Sequence, residues 1–354
     1  MTTVVIANTF PENWSYGRYE IDIHRSIQQQ MDQRWPHGKN LLWGTTWMGP
    51  ATEQAMQAQA DAGATFDNLV VTSTVDAALN FQVYPLIQRL VDTFGIGNVY
   101  RVGNFDGDYE FNIFAVACLD NFRVYDQDQL IMCQPKWRYC CYNRKPYEHR
   151  RQLVGELIVR GLDKHGVITL GHSFPGEPDH GLYRSIGERN QDYVEWGHWY
   201  SDSLDATPHE IPHDLYSLHN WHVWQQHFLH IVGATAPFNE PDIFINQINF
   251  KPLIGMRPFV INGQTRQYQY LRRHGFRTFN HYWPQFDLEQ NYNGSDSLAR
   301  SLADLVEWLA QLDDQQIISM YHSMLPDLIH NRLRWFEWAA EQKHRVHNLF
   351  HDRS

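Results

Sequence analysis

The stretch that decides the fold covers residues 138–170 and reads RYCCYNRKPYEHRRQLVGELIVRGLDKHGVITL. Its first apolar run, Tyr139–Tyr142, is typical of a short buried strand. A turn follows, and Pro146 suits the first position of a helix, because a backbone N–H at that position has no acceptor within the helix and proline lacks this N–H. That helix is predicted to end near Gly161, which can adopt the left-handed conformation of a C-terminal stop. Val167–Leu170 predicts the next strand, and strand, helix and strand in this order indicate a parallel pair with a helical crossover.

Strand-like and helix-like stretches alternate through most of the chain. The other predicted strands are Thr2–Asn8, Leu41–Thr45, Asn68–Thr74, Asn98–Val102, Leu229–Thr235 and Pro258–Ile261. The other predicted helices are Glu20–Gln33, Tyr84–Thr93, Leu215–His227, Gln247–Ile254, Thr265–His274 and most of Ser295–Phe350. This pattern predicts an α/β protein with two facing Rossmann-like lobes and a helical C-terminal tail. The predicted domains are residues 1–135, 136–320 and 321–354.

Composition limits the possible function classes. The chain has 354 residues, is 43% hydrophobic and carries a net charge of −11. It can bury a core, and its acidic balance argues against a general nucleic-acid coat, which requires a basic face. The four cysteines form no CxxC pair, so reduced thiols are expected. The N-terminus lacks a signal-peptide pattern, and no stretch approaches the roughly 18 apolar residues of a membrane span. The sequence therefore predicts a cytoplasmic protein.

Two segments of this acidic chain are locally basic. Residues 136–151 carry six basic side chains against one acid, and residues 243–286 contain no Asp or Glu. Each segment contains a strand-to-helix junction, whose free backbone N–H groups and partial positive charge suit phosphate. The first junction is Asn143–Lys145, and at the second Gly263 allows close backbone approach. The pattern predicts an anion site, and a solvated basic face is the alternative.

Both segments resemble blocks of a known family. Residues 142–153, YNRKPYEHRRQL, resemble the NRxPxxHR turn and helix of glycosyltransferases from phages and marine bacteria. Residues 244–279 are similar to the FxTEKTFKPI…PFIxxG…YLRxxGFxTF block of that family. The second block also resembles, more distantly, the nucleotide-sugar-binding region of fucosyltransferase-type enzymes of the two-lobed GT-B architecture. The N-terminal part of the chain matches only in general character.

The resemblance implies transfer of a sugar from a nucleotide-sugar co-substrate, with no tightly bound cofactor and no essential metal. The donor-binding residues it implies are Asn143, Arg144, Lys145, His149, Arg150, Gln247, Asn249, Lys251 and Gly263. The chain departs from the family at two positions: Gln247 stands where the family has Glu, and Ile248 stands where it has Lys. Gln247 can still hydrogen-bond a ribose hydroxyl, but Ile248 cannot neutralise phosphate. Either the neighbouring cations Arg144, Arg150 and Lys251 supply that charge, or donor binding is altered or lost.

A transfer that inverts configuration needs a base for the acceptor hydroxyl. The resemblance implies that it comes from the N-terminal lobe, where Glu12, Asp106 and Asp108 are the candidates. The Asp-Gly-Asp sequence also fits a simple turn. The acceptor could be a glycan, a lipid-linked saccharide or a modified DNA base, although the net charge of −11 disfavours DNA. A phage-encoded chain would act in the host cytoplasm.

Two other functions stay open from the sequence. The replacements at Gln247 and Ile248 favour a non-catalytic member of the same fold that binds a nucleotide or a glycan. A metal-dependent hydrolase is the third hypothesis, because one predicted helical stretch is rich in histidine. Its members are His219, His222, His227 and His230. No HExxH motif accompanies them, and packing in an aromatic-rich surface is the alternative.

Overall fold

The chain forms two compact units. The computed structural model describes residues 3–7, 15–44, 50–73, 80–103, 109–110, 112–143, 147–170, 217–218, 221–234, 243, 245–289 and 294–350. Unit 1 groups Met1–Asn121 with Glu240–Asn246 and Glu337–Ser354. Unit 2 groups Phe122–Asn239 with Gln247–Phe336.

Unit 1 is built on a parallel sheet whose strands lie side by side in chain order. Strands β1 to β5 span Val4–Ala7, Asn40–Gly44, Asn68–Ser73, Asn98–Gly103 and Tyr109–Glu110. Helices α1 to α4 span Ser15–Arg34, Pro50–Asp61, Asn80–Phe94 and Ile113–Asn121. Alternate residues of β2 and β3, such as Trp43 and Val71, pack with Phe94 of α3 and Met56 of α2 in one apolar cluster. The strands are nearly continuous apolar runs because parallel strands are usually covered on both faces.

The two later segments of unit 1 are joined to its first segment by buried hydrogen bonds. The backbone N–H of Asn112 donates to Oε1 of Gln342 at 3.0 Å. The Asn112 side-chain amide donates to the carbonyl of Ile245 at 2.8 Å. Near the end of the chain, Gln30 of α1 donates to the carbonyl of Val346 at 2.8 Å.

Unit 2 is also an α/β unit on a parallel sheet, but its strand order differs from chain order. Strands β6 to β9 span Trp137–Asn143, Gly166–Leu170, His227–Gly233 and Phe259–Asn262. They lie in the order β7-β6-β8-β9. Helices α5 to α10 span Gln127–Leu130, Glu148–Val159, Trp221–Gln226, Gln247–Ile254, Arg266–Arg273 and Ser295–Gln311. Helix α11 spans Asp314–His347, and its residues up to Phe336 belong to unit 2. The coarse prediction of an α/β protein with two parallel sheets and a helical C-terminus is confirmed.

Helix α6 shows where the local predictions hold and where they fail. It begins at Glu148, so the prediction that Pro146 is its first residue is wrong. Its end is as predicted: Gly161 has a φ of 67°. The N–H groups of Gly161 and Leu162 donate to the carbonyls of Ile158 and Leu157, at 2.9 and 2.8 Å. These two hydrogen bonds satisfy carbonyls that the last helical turn leaves without partners.

None of the four cysteines forms a disulfide, so all four are thiols, as the sequence predicts. Among the described residues, no helix combines the length and the apolar character needed to cross a membrane.

Candidate functional site

The strand order of unit 2 creates a switch point between β6 and β8. The chain passes from β6 to β7 on one side of the sheet and then to β8 on the other side. The connections after β6 and β8 therefore leave the sheet in opposite directions. In open parallel sheets, ligands bind at the carboxyl ends of the two strands beside such a reversal. Here those ends are Asn143 and Gly233.

Asn143 is buried at the end of β6, and the sheet packs tightly around it. Its backbone N–H donates to the hydroxyl of Thr169 at 3.1 Å, and its side-chain amide donates to the Cys141 sulfur at 3.2 Å. A Cβ atom added at Gly233 would lie 2.1 Å from Asn143 Oδ1, so only glycine fits opposite this side chain. In the described part of the chain, Asn143 Oδ1 is buried and accepts no hydrogen bond.

His149 and Arg150, in the first turn of α6, bind the end of β8. His149 Nε2 lies 2.8 Å from the Ala234 carbonyl, and Arg150 Nη2 donates to the carbonyls of Gly233 and Ala234 at 2.6 and 3.0 Å. Burial, reinforced by the charge of Arg150, lowers the pKa of His149 to about 4, so the ring is neutral near pH 7 and donates from Nε2. The Arg150 guanidinium also lies 4.9 Å from the ring centre of Tyr147. Both side chains therefore hold the start of α6 at the switch point.

Helix α8 carries the other predicted donor-binding side chains. Gln247, at its first position, has a buried Oε1 atom that accepts no hydrogen bond within the described ranges. Asn249 is buried and its amide donates to Gln267 Oε1 at 3.3 Å. Lys251 is only 2% exposed. The helix thus offers amide groups at its start and a buried cation one turn later.

The two predicted phosphate cations of the described chain approach the sheet from opposite faces. Arg150 lies on α6, which follows β6, and Lys251 lies on α8, which follows β8. Crossovers between parallel strands are right-handed, so two crossovers that run in opposite directions along the sheet cover opposite faces. Lys251 and Arg150 are therefore on different sides of β6, which is the arrangement that a switch point produces.

The structure gives Gly263 a packing contact that the sequence did not indicate. A Cβ atom added at Gly263 would lie 2.3 Å from the methyl carbon of Ala234. The preceding residue, Asn262, donates its side-chain amide to the His149 carbonyl at 3.1 Å. Among the described residues, its buried Oδ1 has no donor. The role of Gly263 in donor binding stays a prediction.

Several predicted site residues lie outside the described residues. They are Glu12, Asp106, Asp108, Arg144 and Lys145. The candidate base and the first phosphate-binding cations therefore stay predictions.

The predicted histidine cluster differs in its secondary structure. Helix α7 ends at Gln226, and His227 and His230 belong to strand β8, so the expectation that the four histidines lie in one helical stretch is wrong. The strand starts at His227, on the N-terminal side of the predicted start at Leu229, and the β-rich run FLHIVG continues it after His227. His219 and the His222 side chain lie outside the described part. His227 and His230 instead meet Cys140 of the neighbouring strand, and all three are buried.

Comparisons with protein-family models, with curated proteins and with solved structures found no match to this chain.

Proposed function

We propose that this chain is a glycosyltransferase that binds a nucleotide-sugar donor in unit 2, at the carboxyl ends of β6 and β8. The observation that carries the proposal is the switch point, because Asn143, His149 and Arg150 lie there in a parallel open sheet. These residues belong to the block that resembles glycosyltransferases. Two Rossmann-like units are also compatible with the GT-B architecture.

The unsatisfied acceptors near this edge favour a ligand rich in hydroxyl groups. Within the described chain, the side-chain oxygens of Asn143, Gln247 and Asn262 are buried without a donor. An unsatisfied buried acceptor costs about 1–3 kcal/mol, so a donor brought by a ligand is favourable. Ribose and sugar hydroxyls are such donors, whereas ionised phosphate only accepts. The proposal therefore assigns Gln247 to a ribose or sugar hydroxyl.

Phosphate binding falls to cations around the switch point in this proposal. Lys251 and Arg144 neutralise the diphosphate, and Arg150 acts mainly by positioning because its Nη2 donates to two backbone carbonyls. An acid of the N-terminal unit, among Glu12, Asp106 and Asp108, takes the proton of the acceptor hydroxyl. A glycan or lipid-linked saccharide is the preferred acceptor over a DNA base because the net charge is −11.

A binding panel of UDP, GDP, CMP and dTDP sugars tests the proposal. One nucleotide series is expected to raise the melting temperature, because a ligand that binds only the folded state stabilises it. Gln247→Ala is expected to weaken the binding of that ligand about tenfold, because one hydrogen bond is lost. Gln269→Ala is the matched control, since Gln269 is exposed on α9. No shift with any donor, or equal loss in both variants, contradicts the proposal.

A second candidate is a binding protein of the same fold without transferase activity. Gln247 and Ile248 stand where the resembling family has Glu and Lys, and Arg150 already donates to backbone carbonyls. Measuring donor hydrolysis and transfer to added saccharides separates the two candidates. Tight binding of one nucleotide sugar without turnover favours the binding protein, and turnover lost in Lys251→Ala favours the enzyme.

A further inference from the structure

A group of metal-ligating side chains lies inside unit 2, within the sheet. Cys140 is at the centre of β6, and His227 and His230 are on the neighbouring strand β8. The register of the parallel pair sets Cys140 directly beside His230. Their relative exposures are 0% for Cys140 and His227 and 1% for His230. One ligand atom from each residue lies within 4.8 Å of the other two.

The separation of the two histidines matches the geometry of a bound ion. His230 Nδ1 lies 3.3 Å from His227 Nε2 and hydrogen-bonds to it. An ion bound by both nitrogens would replace this hydrogen bond. Two zinc–nitrogen bonds of about 2.0–2.1 Å at a tetrahedral angle hold their nitrogens about 3.3 Å apart. The same angle needs a sulfur-to-nitrogen distance of about 3.5 Å, and the three ligand atoms all lie within 4.8 Å of one another.

The surroundings orient these ligands as they do in metal sites. His227 Nδ1 lies 3.0 Å from the Val223 carbonyl, so it carries the proton, and Nε2 has the lone pair that faces His230 Nδ1. A ligating histidine commonly donates its other ring N–H to a carbonyl in this way. The Tyr142 hydroxyl hydrogen-bonds to the Cys140 sulfur. Trp224 covers the pair, with its ring centre 5.0 Å from each imidazole.

The nearby charges act in both directions. Lys251 and Arg257 lie within electrostatic range of Cys140. Burial raises the pKa of the Cys140 thiol well above its usual value, and these two charges oppose that rise only in part; they also repel a bound dication. Two imidazoles and one thiolate form a donor set that suits zinc and copper and does not suit magnesium or calcium. The local charge therefore selects for an ion that binds thiolate strongly.

We propose that Cys140, His227 and His230 bind a zinc ion that ties β6 to β8 below the switch point. Three protein ligands leave a fourth coordination position open. The ion holds together the two strands whose ends form the candidate site. This proposal is independent of the proposed transferase function, because its tests use no nucleotide and no sugar.

Metal analysis of the full-length protein, produced in zinc-supplemented medium and dialysed, is the first test. The wild type is expected to retain about one zinc per chain, because three buried protein ligands hold the ion. Cys140→Ser and His230→Gln are expected to lose it. Cys141→Ser is the matched control, because Cys141 is the adjacent buried thiol and faces the opposite side of β6, toward Asn143 and Arg150. That variant should keep the metal. Copper found in place of zinc would overturn the assignment of the ion.

Cobalt substitution keeps the proposal testable even if a variant folds poorly. Cobalt bound by the wild type is expected to give a thiolate-to-metal charge-transfer band that persists in Cys141→Ser and disappears in Cys140→Ser. Wild-type protein that retains no zinc and shows no such band contradicts the proposal. So does a band that survives in Cys140→Ser or is lost equally in both serine variants.

Discussion

The sheets of the two units differ in strand order, and this difference determines which residues can meet. In unit 1, β1 to β5 follow one another in chain order, so each strand pairs with its neighbour in sequence. In unit 2, β6 pairs with β8, and β7 lies on the other side. That reversal brings Asn143 to Gly233 and Cys140 to His230. Parallel pairing alone therefore does not create a binding edge; the reversal creates it.

The units also bury polar side chains at different places. In unit 1, Asn40, Asn68 and Asn98 stand at the first positions of three adjacent strands and form a ladder of side-chain hydrogen bonds at the amino edge. In unit 2, buried polar groups gather at the carboxyl edge and around Arg257. An amino-edge ladder is remote from the edge where ligands bind, so it serves stability. The carboxyl-edge groups of unit 2 are the candidates for function.

The largest expected effect concerns Arg257, which is fully buried in unit 2. Its guanidinium donates to the Trp224 carbonyl at 2.6 Å and to the Leu130 carbonyl at 2.6 Å, and it contacts the Tyr321 hydroxyl at 3.2 Å. Arg257→Met removes these donors from buried carbonyls. We expect the free energy of unfolding of unit 2 to fall by about 3–5 kcal/mol, measured by urea denaturation, with hydrogen exchange assigning the loss to unit 2.

Arg272→Met is the control for this loss. Arg272 pairs with Glu289, and its side chain is 42% exposed. An exposed ion pair contributes about 0–1 kcal/mol, so the variant should unfold close to the wild type. Equal losses in both variants would show that burial of the Arg257 network does not hold unit 2 together.

A second effect compares the units through pH. Burial lowers the pKa of His24 in unit 1 and of His149 in unit 2 from 6.5 to about 4. Below about pH 6.5 each of these histidines binds a proton in the unfolded chain but not in the folded chain. The stability of each unit is therefore complete above that pH and declines as the pH falls toward about 4. At about pH 5 each histidine should cost roughly 2 kcal/mol.

Glutamine substitutions separate the two contributions. His149→Gln retains a neutral amide that can donate to the Ala234 carbonyl, and His24→Gln can still bond the Thr72 hydroxyl, which lies 2.9 Å from His24 Nε2. Each variant should flatten the pH dependence of its own unit only, as followed by hydrogen exchange between about pH 7 and about pH 5. A slope that persists in both variants assigns the acid sensitivity to other groups.

Local elements were predictable where apolar periodicity or a stop residue was present. Helix α8 has the predicted ends, and the stop at Gly161 is as predicted. Helix α2 was missed because its sequence, PATEQAMQAQAD, is rich in alanine and glutamine and has no apolar stripe. Helix propensity alone gives a weak signal. The start of β8 was predicted at Leu229, two residues too late, because the predicted helix Leu215–His227 included His227.

The candidate site was predictable only in part, because its contacts cross the switch point. The sequence marked Asn143, His149 and Arg150 as lying near a helix start. It could not show that Arg150 donates to the end of β8, because that contact depends on the pairing of β6 with β8. Cys140 was set aside because no CxxC spacing accompanies it. Its partners are supplied by strand register, which spacing along the chain does not encode.

The smallest expected effect tests the asparagine ladder of unit 1. Asn68 donates to Asn40 Oδ1 at 2.9 Å and accepts from Asn98 Nδ2 at 3.1 Å. Asn68→Ala deprives the buried Asn40 oxygen of this donor, so a loss of about 1–2 kcal/mol is expected in urea denaturation. Asn98→Ala removes only the exposed end of the ladder, where water can substitute, and should cost less than about 0.5 kcal/mol. If the two variants lose the same free energy of unfolding, the ladder is not a buried network. The contrast between a stabilising amino edge in unit 1 and a candidate site at the carboxyl edge in unit 2 would then lack support from unit 1. If hydrogen exchange at the carboxyl edge of the sheet is unchanged in Asn68→Ala, the contrast between the two edges is supported.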